Sequence, residues 1–381
     1  MRILFWVRTG NKYGSLEKYI AQFAESCKEQ GHTFLLLNEI ENTSPDFRDR
    51  LSRAGVIQIA IGESAHTPIK TLVNVIKYLR NWQPDIVQLH FVNSLVLPFL
   101  KIFRVPLAYQ TYHSGIDHAI SIKTRFLRRI DNLFATRVFA ISKRVYQDGL
   151  KAGVNARKLH QIYLGLDPDE FRRENPHLDG RKPPFFDDNS VIKIITVGRF
   201  FPVKGFKYVV EAAVKVLQMK QDVVWWLVGK EGPDSSSCSD LIRKSGLENR
   251  IFILGQRNDV PALLNQSDFQ VVGSLSEGLG LMALEAGACG IPTVAPNIPG
   301  LDEVILDGKT GLLVKSASSQ ALADATIWML ENPQKRLTMG VEAKKFVTEK
   351  FDSKKHISSL VSMFELDYAN YRQHHINKHR S

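Results

Sequence analysis

Glu277 and Glu285 stand eight positions apart in SEGLGLMALEAGACG, residues 276–290, with Gly278 and Gly280 between them. The apolar run FQVVGS, from Phe269, reads as a strand and Leu281 to Ala288 as a helix, so the glycines occupy the turn that joins them. At the start of a helix the first N–H groups lack intrahelical partners and the macrodipole is positive, which suits an anion such as phosphate. With Glu277 before the helix and Glu285 in its second turn, a rise of about 1.5 Å per residue puts roughly 12 Å between the carboxylates. They are too far apart to share a proton. Each accepts hydrogen bonds from hydroxyls, so the spacing suits a ligand with hydroxyls at both ends and phosphate in the middle: ribose, diphosphate and hexose.

Two other readings of the stretch stay open. Glu277 is a solvated loop residue and Glu285 a surface helix residue, with glycines that only form a turn. Alternatively GLGLMA, Gly278 to Ala283, is a G-x-G-x-x-A dinucleotide fingerprint with Asp302 or Glu303 for the ribose, although it follows the fourth strand of its series rather than the first.

TVGRFFPVKGF, from Thr196, places Arg199 and Lys204 on one loop after another apolar run, with Gly205 near the start of the next helix. Arg as a planar fork and Lys as a point charge meet a diphosphate from two directions, whereas an ordinary exposed basic pair would do nothing. The histidine of TYHS, His113, ends a further apolar run and is either packed or functional. Cys27, Cys238 and Cys289 are isolated, so neither a disulfide framework nor a zinc site is expected, and no D-x-D stands on a suitable loop. Metal independence is the expectation.

These loops need a frame. A chain of 381 residues, 44% hydrophobic and 23% charged, exceeds what one core usually organises. Short Val/Ile/Leu runs alternate with amphipathic stretches, which predicts α/β architecture with parallel sheets. Six such strands begin at Arg2, Thr33, Val56, Ile86, Pro106 and Arg137, and six more at Ile192, Val223, Arg250, Phe269, Ile291 and Gly311. Between the series lies FRRENPHLDGRKPPFFDDNS, with three prolines and no periodicity. The expected division is a domain over 1–170, a linker over 171–190, a second domain over 191–350, and a helix with a basic tail over 351–381 that packs back on the first domain.

The formal net charge of +11 implies an anionic partner. Between Lys101 and Lys158 twelve Lys or Arg face three acids, Asp117, Asp131 and Asp148. Within it SIKTRFLRRIDNLF puts Ile122, Phe126, Ile130 and Phe134 on one helical stripe ringed by Lys123, Arg125, Arg128 and Arg129. Such a helix either docks on an anionic lipid surface or packs on the sheet with its charges solvated. No segment approaches the ~20 apolar residues of a membrane span, and no leader pattern opens the chain, so a cytoplasmic location, peripheral on the inner face of the membrane, is expected. The charge alone suggests nucleic acid, but no recognised binding module accompanies it.

In combination these segments resemble the retaining GT-B glycosyltransferases of family 4, marked by an E-x7-E motif. RTGNKYGSLEKYI, PDIVQLHF, TYHS, VFAISK, GLDPDEF, VGRFFPVKGF, FILGQRNDVPALL, the glutamate stretch and TGLLV carry the likeness over nearly the whole chain. The resemblance implies two Rossmann-like domains facing a cleft, with donor on the second and acceptor mostly on the first. It also implies a hexose moved with retention from a nucleotide-diphosphate sugar to a saccharide or lipid-linked acceptor, as in polysaccharide or glycolipid synthesis. Glu277 would bind the donor sugar, helped by the N–H groups of Gly278, Leu279, Gly280 and Leu281, and Glu285 the ribose. Arg199 and Lys204 would hold the diphosphate, His113 would approach the sugar, and Gly14 would allow close backbone approach.

Gln256 and Arg257, after RIFILG, are placed near the base, and their types leave UDP- and GDP-sugars equally open. No separate cofactor is expected. The pattern is broken where Ser15 follows Gly14 in place of a paired glycine and where Leu164 precedes Gly165. A non-catalytic nucleotide-sugar-binding subunit with the same fold is the alternative.

Overall fold

The computed structural model describes residues 1–7, 14–38, 44–60, 68–115, 120–171, 178 and 182–378. They divide into two compact units, Met1–Gly165 with Ser353–Ser381, and Leu166–Asp352. Each is built on one parallel sheet, as the alternation of runs predicts.

In the first unit β1 (Arg2–Val7), β2 (Thr33–Asn38), β3 (Ile57–Ala60), β4 (Ile86–His90), β5 (Leu107–Tyr112), β6 (Arg137–Ala140) and β7 (Leu159–Gln161) form a seven-stranded sheet. Their order is β3-β2-β1-β4-β5-β6-β7. The last of these was not read from the sequence, because three residues carry no periodicity. β4 and β5 are buried along their whole length, which is why they appear as unbroken apolar runs.

The helix Ser353–Lys378 belongs to this unit and runs through most of the stretch expected as a basic tail. Phe364 stacks on Tyr109 at 4.6 Å between ring centroids. Asp367 receives the Tyr109 hydroxyl at 2.9 Å and the Arg137 fork at 2.6 and 2.6 Å.

In the second unit β8 (Ile192–Val197), β9 (Val223–Val228), β10 (Ile251–Gly255), β11 (Phe269–Val271), β12 (Thr293–Pro296) and β13 (Gly311–Val314) run in the order β10-β9-β8-β11-β12-β13. The chain builds outward from β8 through β9 to β10, then crosses to the other side of β8 for the remaining three. β8 and β11 therefore flank a topological switch point, where the loops leave in opposite directions and a crevice opens at the carboxyl ends.

One polar chain locks that point. Trp225 Nε1 of β9 donates to Thr196 Oγ1 of β8 at 3.0 Å, and the Thr196 hydroxyl donates to the Val271 carbonyl of β11 at 2.8 Å. The helix Phe206–Met219 buries Val209, Val210, Ala213, Val216 and Leu217, the i, i+1, i+4, i+7, i+8 face, with each Val or Leu side chain contributing about 1.5–3 kcal/mol.

Part of the stretch read as linker packs on this unit. The Trp226 indole donates to the Pro184 carbonyl at 3.1 Å, and Phe186 stacks on its ring. Residues 172–177 and 179–181 of that stretch lie outside the described residues.

Candidate active site

The loop after β8 is held at both ends by aromatic packing. Phe200 and Phe206 are buried and stack at 4.0 Å, so Arg199, between Gly198 and Phe200, is turned outward with its guanidinium 5.1 Å from the Phe201 ring. Pro202–Lys204 forms a single tight turn, and Gly205, at φ +60°, caps the helix that follows. A Cβ on Gly205 would stand 2.0 Å from the Gly273 carbonyl oxygen. Only glycine permits this crossing of the two loops at the switch point.

The loop after β11 is fixed against the first. Leu275 N–H donates to the Val203 carbonyl at 2.8 Å. Lys204 Nζ then donates to Glu277 Oε1 at 2.6 Å, and the Ser274 hydroxyl donates to the same oxygen at 2.7 Å. On its far side the turn meets Gly300, where a Cβ would lie 2.6 Å from the Glu277 carbonyl oxygen. Gly280, at φ +68°, caps the helix Leu281–Ala288 against Leu301, which a Cβ there would meet at 2.7 Å. Gly278, Leu279, Gly280 and Leu281 thus form a clamped turn leading into a helix start, a geometry in which N–H groups converge on an anion.

Glu277 and Lys204, expected at separate parts of a ligand, also touch each other. A lysine ammonium has three donors, so a bond to Glu277 is compatible with others to phosphate oxygens. The pairing also fixes the long lysine side chain in advance, lowering the entropy lost when a ligand is held.

Glu285 is 7% exposed, between the wholly buried Leu284 and Ala286. The reading of it as a solvated surface residue is thereby set aside. Gln256 and Arg257 follow β10, two strands from β8 and so about 10 Å away. Gln256 is exposed, while Arg257 forks onto the buried Asp259 at 2.8 and 2.6 Å. Asp259 and Ser274 were not singled out from the sequence, because each acts through a partner that only the fold supplies.

In the first unit Gly14 precedes the helix Ser15–Glu29 and its N–H donates to Glu17 Oε2 at 3.0 Å, and residues 8–13 before it lie outside the described residues. His113 follows β5 and meets a residue the sequence reading passed over. His90, the last residue of β4, is wholly buried, and its Nδ1 lies 3.0 Å from His113 Nε2. Phe91, held at φ +59°, stacks on His113 at 4.0 Å. A bulky residue in the left-handed region is strained, and such strain collects at functional sites. Burial lowers both imidazoles, His113 to about 3, so the pair is neutral near pH 7 and shares one hydrogen bond.

The stripe read on the helix Ile122–Phe134 is corrected by the packing. Ile130 is buried and Phe134 half-buried, and Arg128 is drawn inward, its guanidinium 3.7 Å from the Tyr112 ring centroid and Nη1 3.0 Å from the buried Asp131. No described helix is long and apolar enough to cross a membrane. Among the described residues no three His, Cys, Asp or Glu side chains gather to hold a metal ion.

Residues 182–346 match the family model for glycosyl transferases group 1, and residues 16–170 that for glycosyltransferase family 4. The chain is 34% identical over 175 residues to the N-acetyl-alpha-D-glucosaminyl L-malate synthase of Bacillus anthracis, a match over 46% of this chain and 44% of that protein. It is 25% identical over 273 residues to the UDP-Gal:alpha-D-GlcNAc-diphosphoundecaprenol alpha-1,3-galactosyltransferase of Escherichia coli, over 68% and 70% of the two chains. For the relatives matched at 28–34% identity the match spans only 37–58% of their length. Among solved structures, HepE of Anabaena in complex with UDP superposes at a TM-score of 0.79 with 21% identity, over 96% of this chain and all of that one. Taken in chain order, the two family models and the paired parallel sheets make this protein a member of the group 1 glycosyl transferases, with the GT-B fold.

Proposed function

We propose that the protein is a retaining, metal-independent hexosyltransferase that uses a UDP- or GDP-sugar and delivers to a saccharide or lipid-linked acceptor in polysaccharide or glycolipid synthesis. The observation that carries this reading is the Lys204–Glu277–Ser274 contact, set at the β8/β11 switch point beside a clamped helix start. Lys204 and Arg199 bind the diphosphate, together with the N–H groups from Gly278 to Leu281. Glu277 takes hydroxyls of the sugar, Glu285 those of the ribose, and Gln256 and Arg257 border the base. His113 and Gly14 keep the roles that the family resemblance implies. UDP in the HepE complex and UDP-Gal in the name of the Escherichia coli relative favour uracil as the base.

In the step itself the acceptor oxygen bonds to the sugar C1 on the face from which the diphosphate departs. The C1–O bond to the β-phosphate breaks, and the acceptor proton passes to the leaving phosphate oxygen. Retention follows from attack and departure on one face. Charge develops on the diphosphate, so preorganised cations do most of the work and no protein nucleophile is required.

A panel of UDP-, GDP- and ADP-sugars tests the reading by thermal shift and by product analysis in EDTA. Stabilisation by one base series, with transfer and retained anomeric configuration, is expected, because a ligand held only by the folded chain raises its stability. Binding with neither transfer nor donor hydrolysis would make the chain a nucleotide-sugar-binding subunit instead. Inverted product or loss of transfer in EDTA would remove the corresponding part of the mechanism.

A further inference from the structure

We infer that the outward faces of two neighbouring helices in the first unit form a docking surface for an anionic membrane. The helix Ile122–Phe134 packs against the helix Leu97–Ile102 and the turn before it. At about 100° per residue Ile122, Phe126 and Leu133 fall within about 40° of one another. All three are exposed, Ile122 at 88% and Leu133 at 73%. Leu95, Phe99 and Ile102, spaced four and three apart, are exposed on the neighbour. Isolated exposed apolar residues are ordinary, but six large ones on two adjoining helices and the turn that leads into one of them are of the kind that marks an interaction surface.

The charge around them selects the partner. Arg125 and Arg129 lie beside the Ile122 face, and Lys101, Arg104 and Lys123 are also exposed. Between Phe91 and Leu133 the sequence has two acids. Asp131 is wholly buried and receives Arg128 and the Tyr112 hydroxyl, and Asp117 lies outside the described residues. A second copy meeting this face through a two-fold axis would set arginines against arginines. Anionic headgroups complement the basic residues while the apolar side chains enter the acyl boundary. This differs from the stripe legible in the sequence, half of which is turned into the core.

The test is co-sedimentation of the full chain at low salt with vesicles of equal phosphatidylglycerol and phosphatidylcholine, and with pure phosphatidylcholine. Binding to the first and little to the second is expected. Ile122→Ser with Phe126→Ser weakens it at least tenfold, and Arg125→Gln with Arg129→Gln weakens it by about 25-fold, at about fivefold for each basic residue. Leu337→Ser, at an exposed position of the second unit, leaves it unchanged. Because these side chains are exposed, thermal unfolding of the variants matches that of the parent. Absent binding, equal binding to neutral vesicles, or retained binding in both double variants overturns the inference. So does a parent dimer that Phe126→Ser dissociates. Binding is read without turnover, so failure here leaves the donor-site proposal standing.

Discussion

Lys204 Nζ lies 2.6 Å from Glu277 Oε1, although 73 residues separate them. The contact exists because β8 and β11 are neighbours in the sheet and because Gly205 and Gly273 let their loops touch. It joins the cation proposed for the diphosphate to the carboxylate proposed for the sugar.

The two side chains therefore act as a unit. Lys204→Ala lowers turnover by roughly 10² or more if the ammonium stabilises charge developing on the diphosphate. Glu277→Gln added to it costs less than the product of the single effects. Steady-state kinetics on the four proteins of this double-mutant cycle is expected to give a coupling of about 1–3 kcal/mol.

Gly205→Ala strikes the same contact through the backbone. Its methyl would collide with the Gly273 carbonyl at a φ of +60°, so the loops must part. Strain and overpacking together destabilise by about 3 kcal/mol. Chemical denaturation reads the loss, and affinity for the donor falls with it. Gly246→Ala, also at positive φ but with open space around it, shows the backbone strain alone.

The His90–His113 pair gives a pH dependence of definite sign. Both rings titrate near 6.5 when unfolded, and burial lowers both in the fold, His113 to about 3. Below 6.5 the unfolded chain binds more protons than the native one. Stability is whole above that pH and declines as pH falls toward 3, by at most about 1.4 kcal/mol per pH unit for each proton. His90→Gln with His113→Gln flattens the curve of unfolding free energy against pH between 6 and 4. An unchanged slope would show that the rings are not held neutral.

Asp367→Ala leaves the Arg137 guanidinium and the Tyr109 hydroxyl without their shared acceptor beneath the helix Ser353–Lys378. Removing one partner of a largely buried pair costs about 3–5 kcal/mol. Thermal unfolding is expected to show that loss, and limited proteolysis to cut within Ser353–Lys378 earlier than in the parent.

Much of the frame was legible because buried parallel strands are written as unbroken apolar runs. Only β7, three residues long, left no trace. Glu277, Gly280 and Lys204 could be placed on strand-to-helix loops because each follows an apolar run at a glycine-bearing turn. Their mutual contact was not legible, since strand order is set by crossovers that periodicity does not record. Asp259 is invisible for a related reason, as its fork to Arg257 depends on where the β10 loop turns. His90 looked like the end of an apolar strand, and only the adjacency of β4 and β5 sets it on His113. On the helix Ile122–Phe134 the four-residue stripe is split by the packing, Ile122 and Phe126 outward and Ile130 inward, because Asp131 is satisfied inside by Tyr112 and Arg128 and carries the buried side with it.

A crystal grown with whichever nucleoside-diphosphate sugar most stabilises the protein decides where the donor sits. The diphosphate is expected within hydrogen-bond distance of Lys204 and the N–H groups from Gly278 to Leu281, with Glu277 on the sugar and Glu285 on the ribose. A diphosphate bound away from the β8 and β11 loops, with the Lys204–Glu277 contact untouched, would contradict it.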